Sequence, residues 1–184
     1  MTYQQLMIKD LQDLYQAEAE QEHQLPQLAK EATNQALRTA LEEHVTQTQA
    51  QVLRLRQIFE MLGVPPGGDG EVPAGVKGLV SETRKRAEQV RDAGLKDLEL
   101  IAETQKLEHY EMACYGTARA MAHTLDLPDA AHLLQDSLRE EEAADKRLTD
   151  VAMPIHKQVA ENEPVAREGP CPPVRPQEPQ SSAR

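Results

Sequence analysis

Acidic side chains and one histidine occupy positions where helix-forming segments of this sequence should present apolar residues. In four long segments, Leu and other apolar residues recur every three or four positions, which defines the face of a helix that packs inward. The polar residues that interrupt these faces near their middle are Glu18, His44, Glu108, Glu111, Glu141 and Asp145. Because a lone buried carboxylate costs several kcal/mol, acids on several inward faces indicate that they neutralise something together.

A di-metal centre would supply the missing positive charge. Residues three or four apart lie on the same face of a helix, so Glu108 and Glu111 can reach one site. Carboxylate oxygens with an imidazole form a donor set that suits iron, with manganese as the other option. Two Fe(II) ions there would react with O2 or peroxide, which makes a ferroxidase or a peroxidase-type oxidoreductase the candidate enzyme. Tyr110 and Tyr115 are candidate catalytic residues beside the metals.

A second interpretation needs no metal. Long bundle helices often carry acids at the edges of their apolar faces, with the charged heads in water, and this chain contains 31 Asp and Glu. His44 taken alone is typical of a hydrogen-bonded core histidine. The alternative function is therefore a non-catalytic acidic helical-bundle protein, active in stress or interaction, whose inward acids are hydrogen-bonded to Arg, Gln and Tyr.

Four long helices and one short helix would position these residues. Good helix formers dominate the chain up to about residue 160, and no strand-like alternation exceeds four residues. We expect long helices from about residue 2 to 32, from the N-cap Asn34 to about 62, from about 94 to 123, and from about 127 until Pro154 bends or ends the last one. A short charged helix is expected at about 76–91.

The connections between the segments predict the fold. The first and third junctions are short and favour antiparallel hairpins, whereas a cluster of Gly and Pro between residues 63 and 75 lengthens the middle one. The prediction is an all-α, ferritin-like four-helix bundle whose long crossover contains the short extra helix.

Composition limits the class of protein further. The chain has 184 residues, a net charge of −11 and 3% aromatic residues, which argues against nucleic-acid binding. No apolar run approaches the ~20 residues of a membrane span, and the N-terminus lacks the features of a secretory signal. We therefore expect a cytoplasmic protein.

The last part of the chain differs from the rest. Half of the 12 prolines lie beyond residue 163. The predicted organisation is a helical bundle over residues 1–160 and a disordered Pro-rich tail over residues 161–184, which could dock to a partner.

Several sequence blocks carry a resemblance to a known family. The blocks are DLQDLYQAE at 10–18, LP at 25–26, EEH at 42–44, QKLEHYE at 105–111, YGT at 115–117 and EEEAAD at 140–145. Over residues 3–152 the chain resembles the YciE/YciF-type family of ferritin-like bacterial stress proteins. The resemblance implies a ferritin- or rubrerythrin-like bundle, often a homodimer, with a di-iron carboxylate site. Its ligands here would be Glu18, His44, Glu108, Glu111, Glu141 and Asp145.

One position departs from the family pattern. Relatives of this family carry Glu where this chain has Gln47, three residues after His44. A neutral amide is a weaker ligand than a carboxylate, so the sequence leaves open whether both metal positions fill.

Overall fold

The protein is described here by a computed structural model that covers residues 1–67 and 70–162. These residues form five helices and no strand. The helices are α1 (Tyr3–Glu31), α2 (Gln35–Leu62), α3 (Ala74–Gln89), α4 (Ala93–Thr124) and α5 (Pro128–Asn162). The all-α class is confirmed. The predicted disordered tail lies, from residue 163 onward, outside the described residues.

The helices begin and end where local sequence signals require. Asn34 is the N-cap of α2, as expected, and its side chain accepts hydrogen bonds from the amides of Ala36 and Leu37. Gly63, at φ +66°, ends α2 in the left-handed conformation that glycine adopts without a steric penalty. These two signals set the length of α2, which carries the candidate ligand His44.

Pro154 does not end the last helix, because α5 continues through it to Asn162. A proline inside a helix removes one hydrogen bond to the carbonyl four residues earlier, here that of Asp150. Both Pro154 and Asp150 lie on the exposed face, where water can hydrate that carbonyl. The next turn still buries Ile155, and this packing favours continuation of the helix.

The four long helices form a ring in which α1 packs against α2 and α4, and α5 packs against α2 and α4. Gln21 contacts Glu111, and Thr33 contacts Asp97, so residue numbers rise along α1 as they fall along α4. The other neighbours are antiparallel in the same way, as shown by the pairs Tyr15–Arg56, Ala32–Arg38, Glu43–Arg147, Arg54–Glu140, Gln105–Thr149 and Arg119–Gln135. The diagonal helices α2 and α4 are therefore parallel.

A parallel diagonal pair requires the chain to travel the length of the bundle between α2 and α4. The crossover contains α3, which packs on the outside against α4. This is the ferritin-like arrangement that the sequence predicted. None of the helices in the described residues has the length and apolar character that crossing a bilayer requires.

Two apolar clusters fill opposite ends of the bundle. One lies at the N-terminal end of α1 and includes Leu11, Leu14, Leu55, Phe59 and Leu134. The other lies at the C-terminal end of α1 and includes Leu25, Leu41, Ile101, Leu148 and Ile155. Because both clusters hold the same four helices together, they fix the spacing of the helices in the layer between them.

A buried carboxylate links the turn between α1 and α2 to the start of α4. Asp97 is 2% exposed and accepts hydrogen bonds from the Thr33 amide at 2.8 Å, the Thr33 hydroxyl at 2.6 Å and the Asn34 amide at 2.8 Å. Hydrogen bonds to a charged acceptor are stronger than neutral ones. Asp97 therefore determines how the two helical hairpins meet.

We expect Asp97→Ala to lower the free energy of unfolding by about 2–4 kcal/mol, because it removes a buried carboxylate that accepts three hydrogen bonds. Urea denaturation measures the loss. Asp97→Asn keeps the shape and one acceptor and should lose less, while Asp150→Ala, on an exposed face, should stay within about 0.5 kcal/mol of wild type. An Asp97→Ala variant as stable as Asp150→Ala would contradict this account.

Candidate metal centre

A layer of polar side chains separates the two apolar clusters. The layer draws on all four long helices, because the inward face of each is interrupted by an acid or a histidine at this height. Its candidate ligands are Glu18 on α1, His44 on α2, Glu108 and Glu111 on α4, and Glu141 on α5. All five side chains are buried.

The candidate ligand atoms form two overlapping groups. His44, Glu108 and Glu141 offer atoms that lie within 4.8 Å of one another, and so do Glu18, Glu111 and Glu141. Glu141 belongs to both groups. This is an arrangement in which one carboxylate can bridge two metal ions.

Neutral donors hold one oxygen of three of these carboxylates. The Tyr115 hydroxyl donates to Glu18 Oε1, the Gln21 amide to Glu111 Oε2, and the Gln51 amide to Glu141 Oε1. All three donors are themselves buried, so the carboxylates are oriented before any metal binds.

The imidazole of His44 is oriented from both sides. Its Nε2 lies 3.0 Å from Glu108 Oε1, and its Nδ1 lies 3.3 Å from Gln47 Oε1. An amide oxygen next to Nδ1 accepts a hydrogen bond from an Nδ1–H group, which leaves the Nε2 lone pair for a metal. Gln47 is thus placed as a partner of the histidine.

Every candidate ligand retains an atom without a hydrogen-bond partner. These atoms are Glu18 Oε2, His44 Nε2, both oxygens of Glu108, Glu111 Oε1 and Glu141 Oε2. The 3.0 Å approach of His44 Nε2 to Glu108 Oε1 is not a hydrogen bond when the His44 proton lies on Nδ1. No Lys or Arg is buried in the part of the chain that the structure describes. Four carboxylates and one imidazole, with unused lone pairs and no buried cation beside them, fit a pair of divalent iron or manganese ions.

The pKa values show how strongly these carboxylates resist ionisation together. Burial, followed by repulsion from neighbouring carboxylates, raises the pKa of Glu18 and of Glu111 well above the usual range. Burial first, and then the neighbouring Glu108 carboxyl group, raises the pKa of Glu141. Burial raises the pKa of Glu108 to about 7. Metal binding would displace protons from this layer, which makes metal affinity increase with pH.

Asp145 is the predicted ligand that the structure does not bring to either group. Its Oδ1 accepts a hydrogen bond from the Gln105 amide at 2.9 Å and lies 3.5 Å from His109 Nε2. The buried face of α5 continues from Glu141 through Ala144. Asp145, one position further, therefore points toward the edge with α4.

The two candidate tyrosines have different surroundings. Tyr115 is fully buried and touches Glu18. Tyr110 packs against a third, smaller apolar cluster between α3 and the bundle, which includes Val76, Val80 and Leu107, and its hydroxyl hydrogen-bonds the Cys114 thiol. The structure thus places Tyr115 at the centre and Tyr110 outside it.

Sequence reasoning missed the amide donors Gln21 and Gln51. A signal was available for Gln21, because it lies three residues after Glu18 on the same helix face. It also missed Glu103, another buried acid of α4, which is 1% exposed and whose two carboxylate oxygens have no hydrogen-bond partner. Glu103 belongs to neither ligand group.

The fold and the layer together define a ferritin-like helical bundle with a carboxylate-rich centre of the kind that can bind metal. The chain belongs to the family described as Domain of unknown function (DUF892), whose sequence profile matches residues 2–161.

Comparison with known proteins confirms the predicted resemblance to the YciE/YciF-type family. The chain is 35% identical over 161 residues to Protein YciF of Escherichia coli (strain K12), covering 88% of this chain and 96% of that protein. The crystal structure of the E. coli stress protein YciF aligns with a TM-score of 0.78 at 33% identity, covering 86% of this chain and 99% of YciF. The structure of YcfI of Rhodopseudomonas palustris aligns with a TM-score of 0.77 at 36% identity, covering 81% of this chain and 94% of YcfI.

A more distant structure shares the fold alone. Ferritin-like, diiron-carboxylate proteins from Bacillus anthracis str. Ames align with a TM-score of 0.65 at 17% identity, covering 83% of this chain and 99% of theirs. This chain therefore shares its fold with solved structures at 17% identity as well as at 33% and 36% identity.

Glu103→Gln should change how stability depends on pH. Burial raises the pKa of Glu103 from 4.5 to about 7, with Arg84 and Lys106 opposing the rise and Glu31 adding to it. Because this pKa is higher in the folded state than in the unfolded state, wild type loses stability as pH rises from about 4.5 to about 7. The loss is at most about 3 kcal/mol. Gln does not titrate, so over this pH range the free energy of unfolding of the variant should rise relative to that of wild type by up to this amount.

Urea denaturation at about pH 5 and about pH 8, with a chelator present, measures this difference. The exposed Glu60→Gln is the matched control and should differ from wild type equally at both pH values. Parallel pH profiles for wild type and Glu103→Gln would show that burial does not penalise this carboxylate.

Proposed function

We propose that this chain binds two iron ions in the polar layer and uses them to react with peroxide or O2, as a cytoplasmic protein of stress protection. One observation carries the proposal. Five buried side chains from four helices each keep an unpartnered ligand atom, with no buried Lys or Arg in the described residues to balance the acids. The name of the relative YciF as a stress protein supports the physiological part.

The donor set suits iron with open coordination positions. Ferritin-like di-iron sites use a Glu from each of two helices and a Glu-x-x-His motif from each of the other two. This chain presents Glu108-x-x-Glu111 on α4, single acids on α1 and α5, and His44-x-x-Gln47 on α2. Each group therefore has three candidate protein ligands. The remaining positions are free for water or an oxidant, and manganese would fit the same donors.

The chemistry divides between iron and protein. When bound, a pair of Fe(II) ions supplies two electrons, which with two protons reduce hydrogen peroxide to two waters, or O2 to hydrogen peroxide. Glu141 links the two groups, and Gln21, Gln51 and Tyr115 hold the ligand carboxylates in place. Burial followed by the charge of Glu18 raises the pKa of Tyr115 well above its usual range, so its hydroxyl keeps the proton that it donates to Glu18.

A metal-free structural layer is the second candidate function, and the same hydrogen bonds favour it. Gln21, Gln51 and Tyr115 satisfy one oxygen of three carboxylates, as expected of an acidic bundle that acts in stress or interaction without catalysis. Such a layer would keep its remaining protons at neutral pH. It leaves Glu18 Oε2 and Glu111 Oε1 buried without a partner, which is why we favour iron.

Glu108→Gln combined with Glu141→Gln separates the two functions. Wild type loaded anaerobically with Fe(II) should retain two iron ions per chain, because two ligand groups are present. The double variant should lose most of this iron, because one changed residue belongs to both groups. Elemental analysis measures the iron, and stopped-flow absorbance after addition of O2 or peroxide should show an oxidation transient only where iron is bound.

Glu103→Gln is the matched control, since it makes the same change at a buried acid of α4 outside both groups. It should keep the iron and the transient. If wild type binds no iron, or if the double variant keeps as much iron as the control, the layer is structural and the iron proposal is wrong.

A further inference from the structure

A small cavity reaches the polar layer from the surface between α2 and α5. It has a volume of about 120 Å³, which leaves room for a few water-sized molecules. His44 and Thr104 lie at its inner side, where both side chains are buried. The cavity therefore connects the surface with one of the two ligand groups.

His44 is the candidate ligand closest to solvent. It is 4% exposed, whereas Glu18, Glu108 and Glu141 are 0% exposed and Glu111 is 1% exposed. Gln47, the partner of His44 Nδ1, also lines the cavity and is half-buried. A small molecule that enters from solvent through this cavity meets the His44 side of the layer first.

The lining of the cavity has no net charge. Its walls include Ala40, Leu41, Ala144 and Leu148, and the two charged side chains in it, Glu43 and Arg147, form an ion pair with each other. In a chain with a net charge of −11, a route for cations would be expected to present unpaired acids. A mostly apolar passage with a few polar groups instead suits a small uncharged molecule.

Gln47 contributes to this neutrality. A carboxylate at this position would place a negative charge inside the cavity, beside His44. The amide keeps two hydrogen-bond donors and an acceptor without the charge. Gln47 is thus compatible with a passage for an uncharged polar ligand.

We propose that this cavity is the route by which an uncharged two-oxygen oxidant, hydrogen peroxide or O2, reaches the metal centre on the side of His44. The proposal rests on the proposed iron function. Ala143 and Arg147 are both exposed residues that line the cavity. Bulk added at residue 143 should block the route, and truncation of residue 147 should widen it.

Nitric oxide is a suitable probe, because it is small and uncharged and binds Fe(II) with a change in visible absorbance without turnover. In anaerobic Fe(II)-loaded protein, Ala143→Leu should slow nitric oxide association about tenfold, which corresponds to about 1.4 kcal/mol in the barrier, and Arg147→Ala should accelerate it. Neither residue is a candidate ligand, so the iron content of both variants should equal that of wild type.

Matched controls lie away from the cavity. Ala120→Leu adds the same bulk at an exposed position of α4, and Arg139→Ala removes an exposed Arg of α5 that pairs with Asp136. Both should bind nitric oxide at the wild-type rate. Repeating the oxidation with peroxide and with O2 distinguishes the two oxidants, because only one that uses the cavity is slowed by Ala143→Leu.

The outcomes separate the two proposals. If wild type binds iron but Ala143→Leu and Arg147→Ala both match their controls, the route is wrong and the iron function stands. If wild type binds no iron, both proposals are wrong. Since residue 143 is exposed, Leu there needs no space in the core, and Arg147→Ala tests the route independently.

Discussion

Mutual repulsion among buried carboxylates is the constraint on which the rest of this structure depends. Glu18, Glu108, Glu111 and Glu141 are held in one layer, and no Lys or Arg is buried beside them in the described residues. In a medium of low dielectric constant such charges cannot all persist without protons or a cation. Neutral donors fix three of the carboxylates but do not cancel their charge. The layer must therefore either keep protons or take up a cation.

The apolar parts of the bundle make this layer possible. Clusters at both ends hold the same four helices, so the helices cannot move apart to separate the acids or to admit bulk water. The antiparallel neighbours and the long crossover bring residues from distant parts of the chain to one height, such as Glu18 and Glu141. The packing of the two apolar clusters thus offsets the free-energy cost of burying carboxylates in the layer between them. Such local costs are common at functional sites.

Two departures from the expected ligand set acquire a physical meaning in three dimensions. Asp145 is directed to the edge between α4 and α5, where Gln105 contacts it. Gln47 contacts His44 and lines a cavity whose lining has no net charge. The two candidate groups therefore contain fewer carboxylates than the sequence blocks implied, and His44 is the most exposed of the five candidate ligands.

The sequence by itself determined the helices, their connections and the acid or histidine at mid-length of each long helix, because the helical period of 3.6 residues relates position to face. Only the tertiary structure decided that Ala144 rather than Asp145 continues the inward face of α5, that Gln51 from α2 meets Glu141, and that a cavity reaches His44. Periodicity specifies a face to within about one residue, whereas the rotation and register of neighbouring helices depend on packing between side chains far apart in sequence. That packing decides which of the candidate side chains meet in one layer.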